Sequence, residues 1–448
     1  MKRPVSSRAI SLVLGMAFAV TSIGLSGCGA QETTSSSSEA TQTTQETAKA
    51  SGEPVTLQVG LLAEDLDFFQ QKITEDSFKK QLPNVTVDFQ QYKDTEEMIK
   101  NQKIRQSANE LPDVIYMKPD RILELKNSLL PWGKDEELVK QNKFVDTLDN
   151  NKAENGGYYG LPMKIFSEWV FYKKSVFKEL NLQVPKTWND FINTAKAIKA
   201  NGKYIPIAMG GKDSWPCYPF NEFMPLLVGN NPKLLTDIAK QDEPFGTGSA
   251  FDTAYGMADQ LYKADVMGKA MGTSWSEAEQ MMSSNKAAML AAGQYFLPDY
   301  KKNGGDMNDI DVFPLPVVNN SNEKIKSITM IDLFFAVSKN SKNAETAKKY
   351  ISWFFSPDVY KSYITDRNMS STINGVEADS IFAAAQKNLN VELQIYVPGD
   401  DNYTKLLGET KLDVKAIGTA MMAGKDYKTI LADYNKKWKA AREKLGIK

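Results

Sequence analysis

Hydrophobic positions fall into three regimes along this chain. From Ala9 to Leu25 they form one nearly unbroken apolar run, from Gly29 to Glu53 they all but vanish, and from Pro54 to Lys448 they return in short bursts. Within those bursts, short apolar or alternating runs mark strands, and spacings of three and four mark amphipathic helices. The pattern predicts strands over 55–62, 85–91 and 114–117, with helices over 68–80 and 95–108 between them. Such βαβα order implies an α/β fold with parallel sheets and helices on both faces. Ligands of such sheets sit beyond the carboxyl ends of the strands, which singles out Glu64-Asp65 and the segment Met117 to Arg121.

Further on, the cluster Gly156-Gly157-Tyr158-Tyr159-Gly160-Leu161-Pro162 suits a turn or a crossing between lobes. A strand over 169–172 and a short helix over 176–180 follow it. Thr187 can cap a helix with Asp190 reaching back, a variant of the capping box, and Asn201-Gly202 supplies the stop. A strand over 204–209 runs into the loop Gly210 to Pro216, and helices over 251–262 and 277–283 precede a small-residue strand over 287–291 that ends at Gly293-Gln294-Tyr295. Val312-Phe313-Pro314-Leu315-Pro316 is extended and proline-marked, as a return crossing would be. A buried strand over 328–337 carries Asp332 inside it, a helix over 344–355 breaks at Ser356-Pro357, and helices near 403–421 and 427–445 close the chain. No repeat of 20 to 50 residues is present.

The first two regimes have a different meaning. Lys2, Arg3 and Arg8 precede the apolar run, and small residues lead to Cys28, the order of charge, hydrophobe and cleavage site in an export signal. Gly15, Thr21, Ser22 and Gly24 interrupt the run and no basic stop-transfer flank follows, so a permanent span is the weaker reading. Leu25-Ser26-Gly27-Cys28 resembles a bacterial lipobox, which implies cleavage before Cys28 and acylation of its thiol. Residues 28–53 then form a tether too polar to offset its chain entropy, with a reach on the order of 25 to 30 Å. The expected location is the extracellular face of the cell membrane of a Gram-positive bacterium.

Composition narrows the chemistry. The 395 residues from Pro54 onward are too many for one compact core, so two lobes are expected. Without residues 1–27 the formal charge moves from −1 to −4, which gives no reason to expect nucleic acid as a partner. The chain has no histidine, which excludes Ser-His-Asp triads, imidazole bases and His-based zinc sites. Lack of imidazole also predicts little change in affinity between about pH 6 and 8. With Cys28 acylated, Cys217 has no partner for a disulfide and reads as a small buried hydrophobe. No phosphate-binding glycine loop and no EF-hand spacing occurs, and no cofactor is expected.

Seven strings together resemble the extracellular solute-binding proteins of ATP-driven sugar importers, the group that includes the maltose-binding protein. They are LPDVIYM at 111, GGYYGLPM at 156, VFYKKSVFKELNLQVPKTWNDF at 170, IPIAMGGKDSWP at 205, NKAAMLAAGQY at 285, FPLP at 313 and FAVSKNSKNAETAKKYISWFFSP at 335. The resemblance covers essentially the whole chain after the tether. It implies a two-lobed periplasmic-binding-protein-like fold of type II, with three hinge crossings near 160–164, 310–314 and 356–358 and a ligand cleft between the lobes. Lobe I is then 54–162 plus 314–356, and lobe II is 163–313 plus 357–448.

The same resemblance, joined to the chemistry of sugars, names candidate ligand contacts. A pyranose lays its C–H faces on aromatic rings and its hydroxyls against convergent polar groups. Trp215, in a Gly/Pro loop after a strand, and Tyr295, after Gly293, match cleft aromatics of the family, and Tyr403 is a third; Trp132, Trp188, Trp275, Trp353 and Trp438 read as packing residues. Asp120 and Arg121 lie where the family has an Asp-Arg pair in a cleft loop, with capping of the next helix as the competing role. Glu64 and Asp65 match polar contacts after the first strand, competing with a helix N-terminal charge role. Phe166 and Glu168 point to one side of an extended segment, and Asp332 either faces the cleft or is a satisfied structural carboxylate. Met117 and Phe166 depart from the maltose binder, which has an aromatic and a carboxylate there.

The reading is therefore a monomeric, membrane-anchored binder, not an enzyme, that takes a mono- or oligosaccharide and delivers it to permease subunits. A glycosidase needs only two carboxylates roughly 5 to 9.5 Å apart and stays open as an alternative. So does a ligand-sensing lipoprotein.

Overall fold

Ten strands organise the chain: β1 Val55–Leu62, β2 Val85–Tyr92, β3 Val114–Met117, β4 Leu129–Leu130, β5 Leu161–Lys173, β6 Ile205–Ile207, β7 Ala287–Gly293, β8 Ile310–Phe313, β9 Lys326–Ser338 and β10 Glu392–Ile395. They belong to a computed structural model that describes residues 53–145, 148–378 and 380–448. The export signal, Cys28 and the tether up to residue 52 lie outside the described residues.

The strands hydrogen-bond in the order β2-β1-β3-β9-β5-β7-β6, with β4 and β10 on β9 and β8 on β5. Pairing is parallel for β1 with β2 and β3, for β6 with β7 and for β9 with β10. It is antiparallel wherever β5 meets β7, β8 or β9 and where β9 meets β3 or β4. The expected all-parallel sheets are thus mixed. The two long strands β5 and β9 run against each other through the middle, paired from Leu161↔Phe335 to Ser167↔Thr329.

Four apolar clusters cover this sheet on both faces. Leu57, Val59, Tyr116 and Phe335 join Tyr350, Phe354, Tyr360 and Tyr363 on one face of the first half, and Ile115, Met117, Ile331 and Phe334 line the other. In the second half Val170, Ile207 and Met289 pack with Phe191, Tyr255 and Trp438, while Phe171 and Leu290 pack with Phe296 and Phe382. Fully burying such side chains contributes roughly 1.5 to 3 kcal/mol each, so the two halves hold together as separate lobes.

Membership of the apolar cores changes along the two long strands. On β5 it changes between Ile165 and Phe166, and on β9 between Ile328 and Ile331, while Phe313 and Leu315 belong to the second half's core. The helix Pro357–Asp366 buries Val359, Tyr360 and Tyr363 in the first core, and Ile373 follows them, before Phe382 enters the second. Ser356-Pro357 begins a new helix, with proline at its first position where no amide is needed.

Local signals fared better. Thr187 Oγ1 accepts from Asp190 N at 3.1 Å while Asp190 Oδ2 accepts from Thr187 N at 3.1 Å, and Gly202 ends that helix at φ 77°. Two long helices are split. The first is Ala63–Lys72 followed by Asp76–Gln81; the second is Asp401–Thr410 followed by Val414–Met422, where Asp413 caps the new start by accepting from Lys415 N and Ala416 N. Cys217 is buried, and burial pushes its thiol up to about 12. Among the described residues no helix is long and apolar enough to cross a membrane.

Candidate functional site

Strand β5 carries Lys164, Phe166 and Glu168 at alternate positions through the passage between the lobes, and two groups of side chains gather along them. The first group is ionic. Lys164, only 2% exposed, holds its Nζ 2.8 Å from Glu64 Oε1, 3.7 Å from Asp65 Oδ2 and 3.7 Å from Asp332 Oδ2. Lys118 Nζ, just beyond the end of β3, lies 2.6 Å from Asp332 Oδ1. Asp65 in turn accepts from Tyr363 Oη at 3.1 Å and sits 3.2 Å from Arg367 Nε. Glu64 and Asp65 reach this point because β1 ends at Leu62 and they form the first turn of the next helix, where negative charge is favoured.

Electrostatics follow from the pairing. The Lys164 ammonium beside Glu64 holds that carboxyl below its usual range. Burial would raise Asp332, but the ammonium groups of Lys118 and Lys164 outweigh it and bring it down. Lys164 is buried at a cost that Asp65 and Glu64 more than offset, so it stays charged.

The second group is aromatic. Trp215 lies against Trp275 with centroids 4.7 Å apart and against Tyr295 and Tyr218 at 6.2 Å each, the last stacked at 20°. Phe166 meets Tyr295 edge-on at 5.7 Å. Beneath the rings, Tyr218 Oη donates to Glu168 Oε2 at 2.5 Å, accepts from Gly293 N at 2.9 Å and stands 2.8 Å from Tyr295 Oη. Burial raises the Glu168 carboxyl well above its usual range, with only the Tyr218 hydrogen bond opposing. Its buried Oε1 has no partner among the described residues.

The backbone sets these rings in place. A Cβ added to Gly293 would stand 2.6 Å from both Phe166 Cδ2 and Tyr295 Cε1, so only glycine lets the two rings close over the end of β7. Ser214 holds φ 66° and ψ −52°, a rare and strained conformation, immediately before Trp215. Asp213 Oδ2 accepts from Trp275 N at 2.6 Å, which ties this loop to the start of the helix Trp275–Ser283.

The two groups adjoin: the charge of Asp332 acts on Tyr295, and that of Glu64 acts on Asp299, one helical turn beyond Tyr295. A string of rings then leads away through Tyr218, Phe223 and Tyr396, with centroids 5.0 and 5.7 Å apart, and the charge of Asp120 acts on Tyr396. Aromatic faces beside paired carboxylates and ammonium groups can take the C–H faces and hydroxyls of one ligand. Among the described residues no three His, Cys, Asp or Glu side chains are grouped to hold a metal ion.

The structure brings together Trp215, Tyr295, Phe166, Glu168, Glu64 and Asp332, and it leaves Asp120 exposed at the edge. Three further expected contacts are buried and already partnered. Asp65 is fully buried and its two oxygens serve Tyr363, Arg367 and Lys164, so it braces Lys164 from below. Arg121 is 1% exposed and pairs with Glu124. Tyr403 is 8% exposed and packs 6.0 Å from Trp438 in the second core. Lys118, Lys164, Tyr218, Trp275 and Tyr396 were missed. The pairing of β5 shifts register on both sides of Lys164, so the alternation that joins Phe166 to Glu168 does not point to it, whereas Trp275 hides behind a helix start, capped by Ser274 and Glu277, that explains it locally.

Comparison with known proteins adds a family and a fold. Residues 60–361 match the family model described as bacterial extracellular solute-binding protein. The chain is 21% identical over 343 residues, 72% of its length and 77% of the relative's, to the multiple sugar-binding protein of Streptococcus mutans. A binding protein of an ABC transporter from Bifidobacterium animalis subsp. lactis, solved with mannobiose, is similar at TM-score 0.71 and 20% identity, covering 87% of this chain and 95% of that one. RafE from Streptococcus pneumoniae, in its apo form, is similar at TM-score 0.70 and 17% identity over 88% of this chain and all of that one.

Proposed function

Because this chain belongs to the bacterial extracellular solute-binding proteins, we propose that it captures an uncharged sugar or oligosaccharide between its lobes and passes it intact to the membrane subunits of an ABC importer. The observation that carries this reading is the aromatic group of Trp215, Trp275, Tyr295 and Tyr218 standing beside a charge-balanced set of Glu64, Lys118, Lys164 and Asp332. Rings supply a platform for pyranose C–H faces, and the ionic groups, already matched to one another, offer hydrogen bonds without calling for a charged ligand. The sugars named in the relative and the solved neighbours agree with this chemistry.

Lobe I is taken as residues 54–165 with 331–373, and lobe II as 166–328 with 381–448. Three extended passages join them, and ligand contacts made by both sides select the closed form from an open one. Closure forms a composite face that the importer subunits read. Acylation of Cys28 and the tether that follows keep the protein at the outer surface while it does so.

A thermal-shift panel of neutral mono- and oligosaccharides tests the reading, with product analysis alongside. Saturable stabilisation without cleavage is the expected result. Products would instead establish an enzyme, and no stabilisation by any neutral sugar would remove the sugar.

A further inference from the structure

The buried hydroxyl of Tyr218 stands at the meeting point of three partners: Gly293 N at 2.9 Å, Glu168 Oε2 at 2.5 Å and Tyr295 Oη at 2.8 Å. A phenol has one hydrogen to give, and the Gly293 amide can only donate, so that hydrogen goes either to Glu168 or to Tyr295. Which of them receives it is fixed by the carboxyl at the far end.

With Glu168 ionised, the carboxylate only accepts, and Tyr218 donates to it. The 2.8 Å contact is then filled by the hydrogen of Tyr295, whose oxygen is left to meet a ligand as an acceptor. With Glu168 protonated the order reverses. Oε1 is buried and has no partner among the described residues, so the proton belongs on Oε2, where Tyr218 accepts it. Tyr218 passes its own hydrogen to Tyr295, and the Tyr295 hydrogen becomes free to donate outward. Both forms satisfy the Gly293 amide, and neither needs a heavy atom to move.

The surroundings insulate this chain and open it at one end. Besides one another, the only side chain whose charge acts on the three groups is Asp332, and it acts on Tyr295. The strands packed against Glu168 bring no charge: β7 presents Gly293, and Ser327 of β9 donates its hydroxyl to Glu168 O at 2.5 Å. Burial keeps the carboxyl protonated to a higher pH than usual, with only the Tyr218 hydrogen bond opposing. Tyr295 alone of the three is partly exposed, and its ring lies 6.2 Å from Trp215 and 6.1 Å from Trp275.

We propose that Glu168 is a positioning residue that sets, through Tyr218, whether the Tyr295 hydroxyl donates to a ligand group or accepts from it. The proposal rests on the sugar-binding reading. One buried proton thus decides which partner Tyr295 selects. A sugar hydroxyl can answer either form, whereas a group that only accepts, such as fluorine in its place, can answer just the form in which Glu168 is protonated.

The test begins on the ligand-free protein, by infrared titration from about pH 4 to pH 9. The protonated-carboxyl band that Glu168→Gln removes should fade as pH rises, and the phenol C–O band that Tyr295→Phe removes should shift with the same midpoint. Tyr218→Phe cuts the chain, so the carboxyl should still titrate while the Tyr295 band stays fixed. A Tyr295 band that does not move in the wild type, or that moves equally in Tyr218→Phe, would overturn the relay whether or not a sugar binds. Calorimetry then takes the neutral sugar that most stabilises the protein, with its singly fluorinated derivatives, on either side of the midpoint. One derivative should lose at least about fivefold more affinity above the midpoint than below it, and Tyr295→Phe should remove that difference. Equal losses on both sides for every derivative would overturn the selection and leave sugar binding standing. Failure of every neutral sugar to bind would remove the sugar-binding reading and the selection with it, while the infrared result still decides the relay.

Discussion

The indole rings of Trp215 and Trp275 meet with centroids 4.7 Å apart and planes inclined at 52°, although sixty residues separate them in the chain. The contact depends on a backbone junction. A Cβ on Gly210 would come within 2.7 Å of the Trp275 backbone, and Asp213 accepts the Trp275 amide. Two half-buried indoles fixed by strained, glycine-dependent loops form a rigid corner open to a ligand.

That corner gives the first prediction. Trp215→Ala and Trp275→Ala should each weaken sugar binding by at least about 1 kcal/mol, measured by calorimetry, with near-native circular dichroism. Trp275→Phe should recover most of the loss. Unchanged affinity in either alanine variant would take that ring out of the site.

Lys164 yields a prediction about stability. Asp65 is fully buried and Lys164 is one of its two cationic neighbours, so Lys164→Met leaves a buried carboxylate short of a counter-charge. Removing one partner of a buried pair costs about 3 to 5 kcal/mol. Urea unfolding should report a loss of that order, and a loss under about 1 kcal/mol would mean that the network carries little.

Gly293→Ala should act on both stability and binding. Its added methyl meets the rings of Phe166 and Tyr295, which already pack against each other. Overpacking of this kind costs about 1 to 3 kcal/mol. A variant with wild-type melting temperature and wild-type affinity would contradict the close approach.

The pH response is expected to come from carboxylates. Burial, then the charge of Asp299, pushes Glu279 up to about 8, and burial raises Glu168 as well. A carboxyl whose folded pKa is raised binds a proton that the unfolded chain has already released. Its contribution is therefore fully present below about pH 4.5 and is lost as pH rises through its folded value. Melting temperature should fall from about pH 5 to pH 8, and Glu279→Gln should flatten part of that fall. A flat profile in the wild type would refute the raised values. Glu279 also lies beside Trp275 on the same helix, so the absence of histidine does not by itself make binding indifferent to pH in this range.

Much of the architecture is legible in local pattern. β1 and the helix Tyr427–Leu445 match the hydrophobic periodicity to the residue, and the Thr187–Asp190 cap and the Gly202 stop stand where side-chain chemistry puts them. The site is only partly so. Phe166 and Glu168 share a face by alternation, but the pairing of β5 shifts register at Lys164, and a lysine in an extended run reads as solvent-facing until its three carboxylates are known. Asp65 and Glu64 are neighbours in sequence and chemically alike, but one is sealed under Tyr363 and the other is exposed, a difference of orientation on a helix turn that sequence does not carry.

The chain by itself determined the α/β character, the two-lobed plan, the family and the exclusion of imidazole and thiol chemistry, because these follow from periodicity, length, motif order and composition. Tertiary structure alone decided which way β5 and β9 run against each other and which acidic and aromatic residues are brought together. Those outcomes depend on contacts between segments far apart in the chain. Packing against a distant partner, such as Tyr363 over Asp65 or Trp215 on Trp275, sets the direction of a side chain more strongly than its own neighbours do.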